Sequence, residues 1–320
     1  MNIERVELES RPCPVGCSQD DELVLEGRDR LLGLPGEFQV VRCRVCGLMR
    51  TDPRPTPQTM AFYYPDEYGP YHNTRVEANS EESGLQQKIK GLLKRFIKLH
   101  IDSVPALPPG RMLEVGCASG AFLHRMANLG WEVEGIEFSP SAAEEARSLG
   151  YSVHAGTLET APPRAQAYNL IVGWMVLEHL HEPIPALRKL HSWARPGAWL
   201  AISVPNAAAW EFAVFKNAWF ALQLPNHLYH PTTETLVKLL ERGGWHMERV
   251  LHQRDVGNLV ASVGYFLQDR QILPSVARRL IAFPNQKKGI FYLFLLPLAY
   301  FLSAIGQTGR MTVWALRQDA

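Results

Sequence analysis

Residues 111–129, RMLEVGCASGAFLHRMANL, limit the fold more than any other stretch. An apolar run at 111–115 reads as a strand and ends in a turn containing Gly116 and Gly120. Phe122, Leu123, Met126 and Leu129 then recur at helical spacing. The same alternation continues downstream. WEVEGIE (131–137), SVHAG (152–156), YNLIVGWMV (168–176) and AWLAISVP (198–205) read as further strands, and 141–149 as a second helix. WHMERVLH (245–252) and RMTVWAL (310–316) complete the set, with the last two expected as an antiparallel pair. Strands alternating with amphipathic helices predict an α/β fold: a seven-stranded, mostly parallel, Rossmann-like sheet.

The turn after the first strand also constrains the ligand. A dinucleotide fold uses G-x-G-x-x-G there and sets a pyrophosphate on the helix N-terminus. Here Ala118 lies between Gly116 and Gly120, and Glu114 sits in the strand two positions before the first glycine. A carboxylate in this cradle repels a pyrophosphate and attracts an ammonium group. S-adenosylmethionine (SAM) carries an ammonium and a sulfonium and no phosphate, so SAM is the expected cofactor. Glu137 ends the second strand, placed to accept from two ribose hydroxyls, with Phe138 beside it for the adenine. Thr157 and Leu158 follow the third strand, where a polar group and a backbone N–H would meet the adenine edge. Cys117 is expected to offer a backbone contact and an inert thiol. Ala118 is a mild substitution for glycine if φ there is negative.

LEVGCASG, GIEFSP, AGTLE, YNLIVGWMVLEHLHEP and RPGAWLAISVPN occur in order at the expected intervals, and together they resemble the motifs of the class I SAM-dependent methyltransferases. The resemblance covers roughly residues 85–320. CPVGC…VVRCRVCGLMRTDPRPT…YY and LPNHLYHPTTETLVKLLERGGW extend it to a bacterial subgroup with an N-terminal zinc-binding segment, often linked to cell-surface sugar or secondary-metabolite pathways. Two positions depart from the family pattern: Ala118, and Asn169 where an Asp commonly opens the fourth strand. The resemblance implies a methyltransferase, with Met175 expected beside the SAM pocket.

The organisation has three parts: a zinc-ribbon-like segment at 1–50, an irregular Pro- and Tyr-rich connector at 51–84, and a SAM-binding domain at 85–320 with inserts at 206–230 and 258–306. Cys13-x3-Cys17 and Cys43-x2-Cys46 lie 25 residues apart, a spacing suited to a closed S₄ shell around structural zinc. With four thiolates the metal has no open position for catalysis.

An oxygen acceptor must lose its proton during methyl transfer, and His is the usual base near neutral pH. Glu178 and His179 follow the fourth strand; His227 and His230 lie in LPNHLYHPT. His227 is read as a general base on the substrate side, His179 as catalytic or a pocket wall, and His230 as a residue that fixes its loop. In related ubiquinone-pathway O-methyltransferases a Glu precedes the LEH triplet and the set can hold a divalent ion; here that position is Met175. The aromatics of 204–227 (Trp210, Phe212, Phe215, Trp219, Phe220) suggest either a substrate lid or a buried cap.

The expected reaction is methyl transfer to a hydroxyl of a small or carrier-linked sugar or secondary metabolite. C- or N-methylation, or a non-catalytic SAM-fold module docking a partner, are the alternatives. With 33 Lys+Arg against 32 Asp+Glu there is no general attraction to nucleic acid. No secretory signal opens the chain, which suggests a cytoplasmic location. The apolar run within 287–306 is interrupted by Pro297 and is short for a membrane span. It reads as a helix buried against the catalytic domain or one lying on the inner membrane face. LQQKIKGLLKRFIKLH (85–100), basic and amphipathic, allows the same two readings.

Overall fold

The computed structural model describes residues 6–65, 99–286 and 290–319. Most of the amphipathic segment, 85–98, lies outside the described residues. The N-terminal part contributes β1 (Leu8–Glu9), β2 (Asp21–Arg28), β3 (Glu37–Cys43), β4 (Met49–Thr51) and β5 (Arg54–Pro55). The remainder carries β6 (Arg111–Val115), β7 (Glu132–Glu137), β8 (Ser152–Ala155), β9 (Tyr168–Trp174), β10 (Ala194–Pro205), β11 (Tyr229–His230), β12 (Trp245–His252) and β13 (Arg310–Arg317). Among the described residues eight α-helices accompany them: α1 (Ala121–Ala127), α2 (Pro140–Ser148), α3 (Pro183–Trp193), α4 (Trp210–Phe215), α5 (Thr233–Arg242), α6 (Gly257–Asp269), α7 (Pro274–Ala282) and α8 (Ile290–Ala304).

The main sheet has seven strands in the order β12-β13-β10-β9-β6-β7-β8. The five from β10 to β8 run parallel, and β13 is antiparallel to both of its neighbours. The expected strands all appear. Central β9 shows why: Leu170, Ile171 and Val172 are each fully buried, the continuous apolar run of a strand covered on both faces. Burial of such side chains stabilises the fold by about 1.5–3 kcal/mol each. Helix starts follow local chemistry. Ser139 accepts from the Ala142 N–H to cap α2, and Thr232 with Thr235 forms a reciprocal capping box on α5.

The N-terminal strands are stitched to the rest. β11 pairs antiparallel with β4 and completes a four-stranded sheet, β11-β4-β3-β2. Thr51 Oγ1 donates to the His227 carbonyl at 2.7 Å, and the Arg54 guanidinium donates to the Tyr229 hydroxyl at 3.0 Å. Residues 51–65, within the expected connector, hold part of β4, all of β5 and a 3₁₀ turn at Met60–Tyr63.

The aromatics of 204–227 mostly form a buried cap. Phe212, Trp219 and Phe220 are buried; Phe212 and Trp219 pack with Phe38, Val40 and Tyr63, whereas Phe220 packs on Ala261 and Tyr265 of α6. Trp210 remains exposed. No helix among the described residues is long and apolar enough to cross a membrane.

Candidate functional site

The loop between β6 and α1 carries three left-handed residues: Gly116 (φ 73°), Ala118 (φ 44°) and Gly120 (φ 85°). Positive φ at Ala118 corrects the expectation of an easily accommodated alanine, because a Cβ in this region is strained. The glycines are also required by close approach. A Cβ on Gly116 would lie 2.7 Å from Val176 Cγ2, and one on Gly120 would lie 3.0 Å from the Cβ of Ala146. The Cys117 thiol is buried next to Gly135, and burial pushes it far above its ordinary range, so it stays protonated.

Two acids sit under this loop. Glu114 is buried, its Oε2 has no hydrogen-bond partner, and burial pushes its carboxyl well above the usual carboxylate range. Glu137 is buried at the end of β7; Oε2 accepts from the Ala118 N–H and Oε1 from the Ser139 N–H, both at 2.8 Å. Each oxygen keeps a second lone pair. Phe138, beside it, is exposed, and its ring lies 6.3 Å from that of Tyr64. Thr157 is half-buried, its N–H donating to Thr160 Oγ1, and Leu158 is buried. Met175, left-handed at φ 56°, donates its N–H to the Ser203 carbonyl at 3.0 Å. The orphaned Glu114 oxygen is a buried acceptor for a cationic donor. The donor set fits SAM.

Glu178, His179 and His227 meet beyond the carboxyl end of β9, their donor atoms within 4.8 Å of one another. Both Glu178 oxygens are buried without partners, and burial raises its pKa to about 8. His227 Nδ1 lies 2.8 Å from the Ala221 carbonyl, and His179 Nδ1 lies 2.9 Å from the Asn226 carbonyl. A carbonyl only accepts, so each ring carries its proton on Nδ1 and leaves Nε2 as a lone-pair acceptor. Burial lowers His179 to about 4 and His227 well below its ordinary value, so both rings are neutral at physiological pH. The ring centroids stand 4.7 Å apart. With Met at position 175 the set is one carboxyl group, mostly protonated at neutral pH, and two neutral imidazoles, able to move a proton or, once the carboxyl ionises, to hold a cation. His230 is displaced from this set: it is fully buried in β11, with Nε2 3.2 Å from Thr51 Oγ1.

Three further residues join the site without a clear sequence signal. Tyr64, from the Tyr pair before Pro65, places its hydroxyl 2.7 Å from His179 Nδ1. Glu211 is buried in α4, and burial raises it to about 7. A lone acid in the apolar run AAAWEFAVF was the available clue. Arg310, at the start of β13, adds a positive charge that acts on Glu178, Glu211 and His227 together.

The four N-terminal cysteines converge separately. Their sulfurs lie within 4.8 Å of one another, and Cys13 Sγ is 3.4 Å from Cys46 Sγ. Sulfurs in a tetrahedral zinc shell stand about 3.8 Å apart for Zn–S bonds of about 2.3 Å, so the spread brackets that geometry, and it is too wide for a disulfide. The longer first pair closes its turn with Gly16 at φ 85°, whose N–H donates to the Cys13 carbonyl. Burial raises Cys13 and Cys17, whereas the Cys46 and Val45 amides outweigh burial and lower Cys43. The donor set fits a structural zinc.

Comparison with known proteins bears on the part of the chain that carries the Gly-rich loop. Residues 83–250, just over half of the chain, match the family model described as a methyltransferase domain. A ubiquinone biosynthesis O-methyltransferase from Xanthomonas campestris pv. campestris (strain B100) is 29% identical over 164 residues, 48% of this chain and 68% of the relative. One from Xanthomonas axonopodis pv. citri (strain 306) is 27% identical over 175 residues, 51% and 72% of the two chains. Among solved structures, a SAM-dependent methyltransferase from Mesorhizobium loti aligns at TM-score 0.44 and 16% identity, covering 67% of this chain and 94% of that one. The 3-2-1-4-5-7-6 order of the main sheet, with its one antiparallel strand, and the family match over the Gly-rich loop place the chain among the class I SAM-dependent methyltransferases.

Proposed function

We propose that this methyltransferase acts on a hydroxyl of a small or carrier-linked acceptor, a sugar or secondary metabolite. SAM, when bound, supplies an electrophilic methyl group. Glu137 accepts from its ribose hydroxyls, Phe138 packs on its adenine beside Thr157 and Leu158, and Glu114 with the 116–120 loop receives its ammonium. His227 takes the acceptor's proton at Nε2. Glu178, kept protonated by burial, donates to the acceptor oxygen, and the His179 ring walls the pocket beside that nitrogen. Four cysteines, Cys13, Cys17, Cys43 and Cys46, hold a structural zinc.

The observation that carries this reading is the bond between His227 Nδ1–H and the Ala221 carbonyl. It fixes the tautomer, so a neutral lone pair is available next to Glu178 and His179. General-base assistance of this kind contributes about 10²–10⁴-fold. The relatives' name, O-methyltransferase, agrees with an oxygen acceptor.

The test is turnover of SAM to S-adenosylhomocysteine with a panel of hydroxylated sugars and phenolic metabolites, comparing wild type with His227→Asn. Loss of kcat/KM by about 10²-fold or more with unchanged SAM affinity supports the base. Unimpaired turnover in the variant, or a product methylated at carbon or nitrogen, overturns the reading.

A further inference from the structure

We propose that the outer face of α8, together with the neighbouring α7, docks on an anionic lipid bilayer. α8 is apolar from Ile290 to Ala304 except for Ser303. One edge is committed to the fold. Ala299 and Leu302 are buried with Val256, the Tyr292 hydroxyl donates to the Arg254 carbonyl at 3.2 Å, and Ser303 Oγ donates to the His252 carbonyl at 2.6 Å. Among the described residues nothing covers the opposite edge. Phe294 (76% exposed), Leu298, Phe301 (61%) and Ile305 (52%) follow one another at steps of four, three and four residues, with Leu293 alongside. Single exposed apolar residues are ordinary on a soluble protein, but a stripe at helical spacing marks a contact surface. Of the seventeen large hydrophobics exposed among the described residues, eight fall between Ile272 and Ile305.

Charge selects the occupant. From Arg270 to Lys288 the sequence has five Lys and Arg and no Asp or Glu, in a chain whose totals, 33 basic against 32 acidic, nearly cancel. Arg270, Arg278 and Arg279 are exposed, and Asp269, the acid just before them, is engaged by Arg30 at 2.7 Å. Stacking of Phe283 on Tyr292 joins the end of α7 to the start of α8. A second copy of the chain would bring like charges together across this face. Anionic headgroups complement the cations while the acyl boundary receives the stripe. At about 1.5 Å per residue, the fifteen residues of α8 reach about 22 Å, short of the about 30 Å hydrocarbon core, so the helix lies on the bilayer instead of across it. Gly306 and Thr308, just after α8, accept from Asn206 Nδ2 at 3.3 and 3.0 Å, and Arg310 pairs with Pro205 at the carboxyl end of β10. Docking through α8 therefore brings the edge that carries the candidate site towards the lipid.

The experiment is sedimentation of the full chain with vesicles of phosphatidylglycerol and phosphatidylcholine, against vesicles of phosphatidylcholine alone. Binding to the anionic vesicles is expected to be about tenfold tighter or more and to weaken with salt. Phe294→Ser with Phe301→Ser, and separately Arg278→Glu with Arg279→Glu, should each reduce it by about tenfold while calorimetric SAM affinity is unchanged. Equal binding to both vesicle types, no binding to either, or a concentration-dependent dimer that the Phe294→Ser, Phe301→Ser chain loses would overturn the proposal. Because the readout needs no acceptor, it stands or falls independently of the hydroxyl assignment.

Discussion

The backbone N–H of Ala118 donates to Oε2 of Glu137 at 2.8 Å, which ties the loop after β6 to the end of β7. The other carboxylate oxygen holds the Ser139 N–H at the start of α2. Glu137 thus organises two backbone segments around the place assigned to the ribose. Truncation to alanine removes both anchors and leaves two amides to find water, so a fold left fully intact is not expected of Glu137→Ala. Glu137→Gln keeps one acceptor and the side-chain volume. Both variants should lose SAM affinity by about tenfold or more in calorimetry, since a hydrogen bond to a charged group is worth about 1.5–3 kcal/mol. Glu137→Ala should melt lower than Glu137→Gln. Wild-type affinity in both would remove Glu137 from the cofactor site.

Ala118 supplies a prediction of the opposite sign. Its φ of 44° costs a β-carbon residue about 1 kcal/mol or more, which glycine does not incur. Glycine loses part of that advantage through a freer unfolded chain. Ala118→Gly should therefore raise stability by about 0.5–1 kcal/mol in thermal or chaotrope unfolding, with SAM binding retained. A destabilised variant would mean that the Ala118 methyl makes packing contacts that outweigh its backbone.

The sheet was legible because its signals are local and periodic. Apolar runs such as 168–174 and helical spacing such as Phe122, Leu123 and Met126 need no knowledge of distant residues. Turn chemistry was legible where glycine marks it, as at Gly116 and Gly120, and hidden where alanine occupies the same conformation. Convergence across the chain was the part the sequence concealed. Tyr64 reaches His179 over a separation of 115 residues, and β4 meets β11 over roughly 180, through contacts that no spacing rule encodes. Arg310 acts on three acidic or imidazole groups only because β13 returns beside β10. His227 could be singled out by type, yet its pairing with Glu178 and His179 depends on the fold of residues 206–230.

The four cysteines yield a prediction about metal. Gly47 N–H to the Cys43 carbonyl, and Lys238 Nζ to the Cys46 carbonyl at 2.8 Å, hold the second turn against α5, so the thiols are preorganised by the fold around them. Elemental analysis should find one zinc per chain. Replacing Cys43 and Cys46 with Ser should remove it and lower the melting temperature, because binding energy at such a site is folding energy. Metal retained in the double variant would show that it binds elsewhere.

Glu211 links burial to pH. Burial raises its carboxyl from 4.5 to about 7, opposed in part by the charge of Arg310. The folded chain therefore holds a proton over an interval, about pH 4.5 to 7, in which the unfolded chain has released it. Stability rises with pH only where the unfolded state binds more protons; here the folded state does, so this group lowers stability as pH rises through the interval and adds nothing further above it. Glu211→Gln removes the titration and keeps the shape beside Gly309, whose lack of a Cβ makes room for the carboxylate. The variant should gain on wild type by about 1–3 kcal/mol between about pH 5 and about pH 7.5, measured as the difference in unfolding free energy at each pH. Subtracting wild type cancels the other titrating groups, which both chains share. A difference that stays level across that range would show that Glu211 is already ionised in the folded protein, with the positive charge of Arg310 outweighing its burial.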